Sequence, residues 1–348
     1  MQVRTNTKRS ALVWGVMGTV LAACAGPHMA TNKVDHDETF YVCMLGTRKH
    51  RLSGVNPVVG LFYTKDGGQT WQHTGWEQGK AFAAVTPPGG QGDTIFVAAG
   101  NGVMRTTDGG AKWRITTSWE VTEVQDVAVS ARRTTDVFAA TPYGIYRSRD
   151  FGTTWSHIAA ELPEPFVSSI RVDRDDPDRV LAGAEAGLYI SPDGGDTWVG
   201  SGLEYPIRSV RQSPDNPQIW AAALQDHGVA ISLDGGTTWR TAEVLDGRTI
   251  YEVEFDPMNP ERLLAGGWKT GLLESLDLGR HWGKLDENLD SEDIHGIAIS
   301  RTKQGLIIVG SMSNGVFVST DGGIHWTASA PDIFDEGQVW DVYVGGEQ

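Results

Sequence analysis

Thr64-Lys65-Asp66-Gly67-Gly68-Gln69-Thr70-Trp71 sets a hydroxyl first, an aspartate third, a glycine fifth and a tryptophan eighth. The same offsets return in Thr106–Trp113, Ser148–Trp155, Ser191–Trp198, Ser232–Trp239, Ser275–Trp282 and Ser319–Trp326, making seven copies in all. Their tryptophans lie 42, 42, 43, 41, 43 and 44 residues apart. A fixed period of this size marks a chain built from stacked or radially repeated units.

Working outward, each box follows a glycine and a short alternating strand, as in Gly102-Val103-Met104-Arg105 and Gly144-Ile145-Tyr146-Arg147. An Ala/Val-rich strand comes before that, for example Ile95-Phe96-Val97-Ala98-Ala99. A further strand lies between boxes: Val124-Gln125-Asp126-Val127, Ile207-Arg208-Ser209-Val210, Ile250-Tyr251-Glu252-Val253, Ile294-His295-Gly296-Ile297. Four short strands per unit, with no helical period, predict an all-β protein, a seven-bladed β-propeller. The final segment Val339-Trp340-Asp341-Val342-Tyr343-Val344 has the innermost-strand pattern but no box after it. The first unit, from Phe40, lacks that strand. The C-terminal strand is therefore expected to join the first blade and close the ring, which removes exposed edges.

The box chemistry suits a tight hairpin. The Asp carboxylate can accept the turn's own amides, the last glycine suits a positive φ, and the Trp ring can pack on neighbouring sheet. The box closely resembles the Asp-box (bacterial neuraminidase, BNR) repeat, and the resemblance spans residues 38–346. It is shared with six-bladed sialidases, seven-bladed xyloglucanase modules, sortilin-type receptor propellers and the photosystem II stability/assembly factor-like group. The last is nearest in blade number and size, and it implies protein binding without chemistry. In all of these the boxes are rim structure, away from the ligand face. The acidic turns Asp173–Asp178, Pro214–Pro217 and Asp256–Pro260 read as Pro-set turns rather than calcium loops.

Strand direction sends the boxes to one face. The loops entering each innermost strand, and those joining second and third strands, go to the other, around the mouth of a central channel. Side chains there vary from blade to blade, so the repeat does not require them. The candidate ligand-binding residues are Trp76, Trp119, Tyr143, Tyr205, Arg208, Arg248, Trp268, Lys269, His295 and Trp340. An insertion from Leu45 to Pro57 adds the basic Arg48, Lys49 and Arg51. Aromatic faces with carboxylates and arginines suit a sugar or a protein partner. The sialidase resemblance implies an alternative: Glu252 and Asp293 as an acid pair, with Tyr251 beside the nucleophile. Adjacent strand residues alternate faces, so Tyr251 and Glu252 are expected to point apart.

The N-terminus reads as an address. Arg4, Lys8 and Arg9 precede an apolar run of 13 residues, Ala11–Ala23, ending Leu21-Ala22-Ala23-Cys24. This resembles a bacterial lipobox: residues 1–23 are a lipoprotein signal, Cys24 takes the lipid, and residues 24–37 are the tether. The expected localisation is the cell envelope, with the bilayer touched only through Cys24. Cys43 is then a single buried thiol in an apolar strand. The whole chain of 348 residues carries 29 basic and 44 acidic side chains, a net charge of -15. That argues against nucleic acid. No cofactor and no metal set is evident, and a monomer is expected.

Overall fold

The computed structural model describes residues 38–47, 58–87, 93–159, 162–285 and 288–346. The expected signal (1–23), Cys24, the tether (24–37), and Arg48, Lys49 and Arg51 of the insertion lie outside these.

The described chain forms seven antiparallel sheets of four strands each, the seven blades. Six are continuous in sequence, with innermost strands Ala81–Val85, Asp126–Val129, Val167–Val172, Ile207–Gln212, Ile250–Asp256 and Ile294–Ile299. The first blade is composite. Its innermost strand is the C-terminal Gly337–Val344, paired with Phe40–Thr47 from Phe40↔Val344 to Thr47↔Gly337. The ring therefore closes as the strand patterns predict, by joining chain ends.

Apolar side chains of facing sheets pack into seven clusters, one in each gap between neighbouring blades. Trp220 is fully buried between the fourth and fifth blades. Cys43 is buried between the first and second, and burial pushes its thiol well up, so it stays protonated and inert. Where the seventh blade meets the composite first, backbones approach closely. A Cβ on Gly296 would lie 2.4 Å from the Val342 nitrogen, so only glycine fits there.

Each box is a self-contained hydrogen-bonded turn. In the third, the Ser148 hydroxyl donates to Asp150 Oδ1 at 2.8 Å and accepts from the Gly152 amide at 2.8 Å. The Asp150 carboxylate accepts the Thr153 and Thr154 amides at 3.0 and 2.7 Å. These bonds hold the Asp150 carboxyl at a pKa of about 2. The box glycine, at positive φ, presses on the blade before it: Gly152 faces Phe96, Gly195 faces Ile158, and Gly279 faces Ile231. Boxes thus pin each blade to its predecessor. Their tryptophans are shallower than a full core reading implies. Only Trp71 and Trp326 are under a tenth exposed, and the other five box tryptophans are half-buried. The acidic turns behave as turns, with Asp173 Oδ1 accepting the Asp175 and Asp176 amides at 2.9 and 3.3 Å.

Candidate functional site

The channel wall is set by a recurring irregularity. In six of the seven innermost strands the pairing skips one residue near the mouth: Phe82, Ser168, Arg208, Tyr251, His295 and Trp340. Each skipped residue is a β-bulge. In the third blade Gln125 occupies the equivalent place, directly before its strand. These residues form an upper ring around a cavity of about 280 Å³. Below them Asp126, Ser169, Ser209, Glu252 and Asp341 form a middle ring, and two residues further on Arg171, Arg211 and Glu254 form a lower one.

The bulge corrects the alternation expected at Tyr251 and Glu252. The extra residue lets both side chains line the same cavity. Tyr251 stacks on His295 with ring centres 4.0 Å apart. His295 meets Trp340 at 5.4 Å, and Trp340 meets Phe82 edge-on at 5.8 Å. The wall is therefore largely aromatic.

The floor is charged. Arg171 donates to Asp126 at 2.6 Å. Arg211 reaches Glu252 at 2.9 Å and Glu254 at 3.0 Å. Asp126, Arg171, Arg211 and Asp341 border both the mouth cavity and a smaller one of about 80 Å³ beneath it, so they form the partition between the two. Four carboxyls share two guanidinium groups here. Burial, with the neighbouring carboxylates, pushes Glu252 up to about 8 and Asp341 up to about 6. Burial works against the Arg211 charge, but Glu252 and Glu254 outweigh it and raise its pKa. Burial also lowers His295 to about 4, so its imidazole is neutral at pH 7.

The other sequence candidates divide between cavity and rim. Arg208 lines the cavity, where it binds Glu185 at 2.9 Å and contacts Gln225. Arg248 is exposed on its loop and does not line the cavity. Trp119 is 84% exposed, and Trp76, Tyr143, Tyr205 and Trp268 are also exposed on mouth-face loops. Tyr205 leans on His227 at 4.0 Å, and the Lys269 ammonium sits 5.5 Å from the Trp268 ring centre. The Asp293 carboxylate accepts the Lys269 amide at 3.0 Å and the Ser313 hydroxyl at 3.1 Å.

Sequence reading missed Asp126, Arg171, Arg211, Glu254 and Asp341. Their signal was a polar residue at every second place of a strand otherwise buried, as in Arg208-Ser209-Val210-Arg211 and Glu252-Val253-Glu254.

The BNR/Asp-box repeat model matches residues 62–73, the first box with its approach strand. That match, repeated by the same turn in every blade, decides the class. The chain is an Asp-box seven-bladed propeller. Among solved structures, this Asp-box propeller is similar to YCF48 bound to D1 peptide, at 17% identity, TM-score 0.56, covering 75% of this chain and 94% of that one. It is similar to YCF48 from Cyanidioschyzon merolae, at 17% identity and TM-score 0.56, covering 73% and 87%. It is also similar to a GH74 enzyme from Niastella koreensis, at 17% identity and TM-score 0.59, covering 72% of this chain and 45% of that one. The chain spans 30% of the length of an ancestral GH74 enzyme and 45% of the Niastella one, less than half of either. At these identities the likeness is one of fold. No curated protein matches the sequence significantly. Among the described residues, no helix is long and apolar enough to cross a membrane.

Proposed function

We propose that this propeller is an exported, lipid-anchored binding module that recognises a protein partner, or a glycan, at its channel mouth and performs no chemistry there. One observation carries this reading. Every exposed Trp or Tyr among the described residues (Trp76, Trp119, Tyr143, Tyr205, Trp268) lies on the mouth-face loops. The box face exposes aliphatic side chains such as Leu233, Leu276 and Ile324 instead. Aromatic side chains are the usual anchors of recognition surfaces, and solvent-facing ones have no folding reason to gather on one face. The structure of YCF48 with a D1 peptide supplies a precedent in which a propeller of this type holds a peptide. The basic insertion Arg48, Lys49 and Arg51, with Arg248, Lys269 and the rim aromatics, would extend the surface. Cys24 would tether it to the envelope.

The test is capture from detergent-solubilised envelope with the wild-type chain and a Trp119→Ala/Trp268→Ala double variant, alongside a glycan array. A partner retained by wild type and lost by the double variant supports the reading. Equal capture by both, with no glycan bound, removes it.

The hydrolase alternative, with Glu252 and Asp293 as an acid pair and Tyr251 beside them, has weaker support. Glu252 is bridged to Arg211 inside the channel, and Asp293 is engaged by Lys269 and Ser313. Unchanged turnover of a xyloglucan or sialoside substrate after alanine at both acids would remove it.

A further inference from the structure

Among the described residues, five buried side-chain polar atoms lack a hydrogen-bond partner, and three of them belong to residues lining the mouth cavity: Arg208 Nε, His295 Nε2 and Asp341 Oδ1. Unpaired buried polar atoms are costly, and two of these, Asp341 Oδ1 and His295 Nε2, can accept, so they point to a donor group received there, which leaves the Arg208 Nε–H donor unanswered. Charge selects the kind of group. Arg171 is engaged by Asp126, Arg208 by Glu185, and Arg211 by both Glu252 and Glu254. Asp341 is left as the carboxylate without a cation of its own within bonding distance. Among the residues lining the two cavities, the carboxyls Asp126, Glu252, Glu254 and Asp341 outnumber Arg171, Arg208 and Arg211.

The wall above this acidic floor is suited to a positive group. Trp340, Phe82 and Tyr251 offer ring faces or edges, and ring faces attract cations. His295 is 8% exposed and neutral, so its unpaired nitrogen can accept a hydrogen bond from an ammonium. The volume of about 280 Å³ fits a single alkyl chain with a charged head, and not a chain of sugar rings.

From this geometry we infer that the mouth cavity is a receptor for an alkylammonium or alkylguanidinium group, the head of a lysine or arginine side chain, seated on Asp341 and Glu252 within the aromatic wall of Phe82, Tyr251, His295 and Trp340. The inference rests on the reading of the mouth as a binding face and deepens it. The partner offers a basic side chain at the centre of the contact, with the rim aromatics gripping its surroundings.

The experiment uses small probes and needs no partner. Pentylammonium, butylguanidinium, neutral n-pentanol and acetate are titrated into the chain by calorimetry. The peptide Ac-Gly-Lys-Gly-NH2 and its norleucine counterpart form a second arm, which separates a free amine from a side chain on a peptide backbone. Both cations and the lysine peptide should bind, while n-pentanol, acetate and the norleucine peptide should not. Asp341→Asn should weaken cation binding roughly tenfold or more, the loss typical of removing a charged acceptor. Because Asp341 sits in the closing strand, Glu252→Gln is the second variant, and a melt of each confirms folding. Leu233→Ala, on the box face, should bind as wild type. Binding should tighten as pH rises and Glu252, facing Arg211, Asp341, Glu254 and Arg171, loses its proton. Equal binding of n-pentanol, preference for acetate, no cation binding, or unchanged binding by both folded variants would overturn the inference. If the cations fail while capture still depends on Trp119 and Trp268, the basic-group inference falls and the binding-face reading stands. If they bind while capture is independent of the rim, the reverse holds.

Discussion

The Trp71 indole donates to the Ser329 hydroxyl at 2.8 Å, across the seam where the first and last blades meet. Ser329 passes the bond on to the Gly68 carbonyl at 2.6 Å, inside the first box. The first repeat is thereby fastened to the last through three buried groups. Ser329→Ala should lower stability by about 1–3 kcal/mol, since it leaves a buried donor and acceptor unpaired. Trp71→Ala should cost about 3–5 kcal/mol. Urea denaturation of both variants checks this, and an unchanged midpoint for Ser329→Ala would show that the seam bond is dispensable.

The box aspartates govern behaviour in acid. Asp66, Asp150, Asp193, Asp234 and Asp321 are each held at about 2 by the hydroxyls and amides they accept. A carboxyl with a lowered folded pKa stabilises above its ordinary value, and that contribution is lost as pH falls through the folded value. Melting temperature should therefore drop between about pH 4 and pH 2. Asp150→Asn should melt lower at pH 7 and lose less than wild type across this acid window.

The channel acids act in the opposite direction. Glu252 titrates near 8 in the folded chain against an ordinary value of 4.5, so the folded state holds its proton more tightly than the unfolded one. Stability should fall as pH rises from about 4.5 to 8. Glu252→Gln keeps the shape without the charge and should flatten this slope. A thermal melt series from pH 5 to pH 8.5 reads it, and an unaltered slope in the variant would assign the effect elsewhere.

Gly296 tests the close approach at the seam. Gly296→Ala would drive a methyl to 2.4 Å from the Val342 backbone nitrogen, which neither strand can relieve without breaking pairing. The expected outcome is poor recovery of folded protein, seen as early elution on size exclusion. Gly283, with open space at its Cβ position, should tolerate the same change.

The proposed lipid anchor places the protein's location on Cys24. Cys24→Ser should move the protein from the membrane fraction to the soluble envelope fraction and abolish incorporation of labelled palmitate. Persistent membrane association would point to a different anchor.

The repeats were legible because the Asp box is a local device: its hydroxyl, carboxylate and glycine satisfy one turn, so the turn must appear wherever the offsets do. Closure was legible for a similar reason, since one end lacked the strand the other supplied. The rim aromatics showed because nothing in the repeat requires Trp119 or Trp268. The channel floor was hidden by register. Strict alternation separates Tyr251 from Glu252, and only the bulge after Ile250 turns both inward. A bulge is a relation between strands, so no single strand pattern reveals it. The partnership of Arg171 with Asp126, and of Arg211 with Glu252, likewise joins different blades.

The composite first blade has a consequence for biogenesis. Phe40–Thr47 is synthesised long before its inner partner Gly337–Val344, with six blades made in between. Until then Phe40, Val42 and Met44, all buried in the finished ring, have no complete blade to enter. The first blade is consequently completed only when Gly337–Val344 arrives, after the six continuous blades have been made. Removing Gly337–Val344 would leave six intact blades around an open wedge, with the inner edge of Phe40–Thr47 unpaired and open to a cell's proteases.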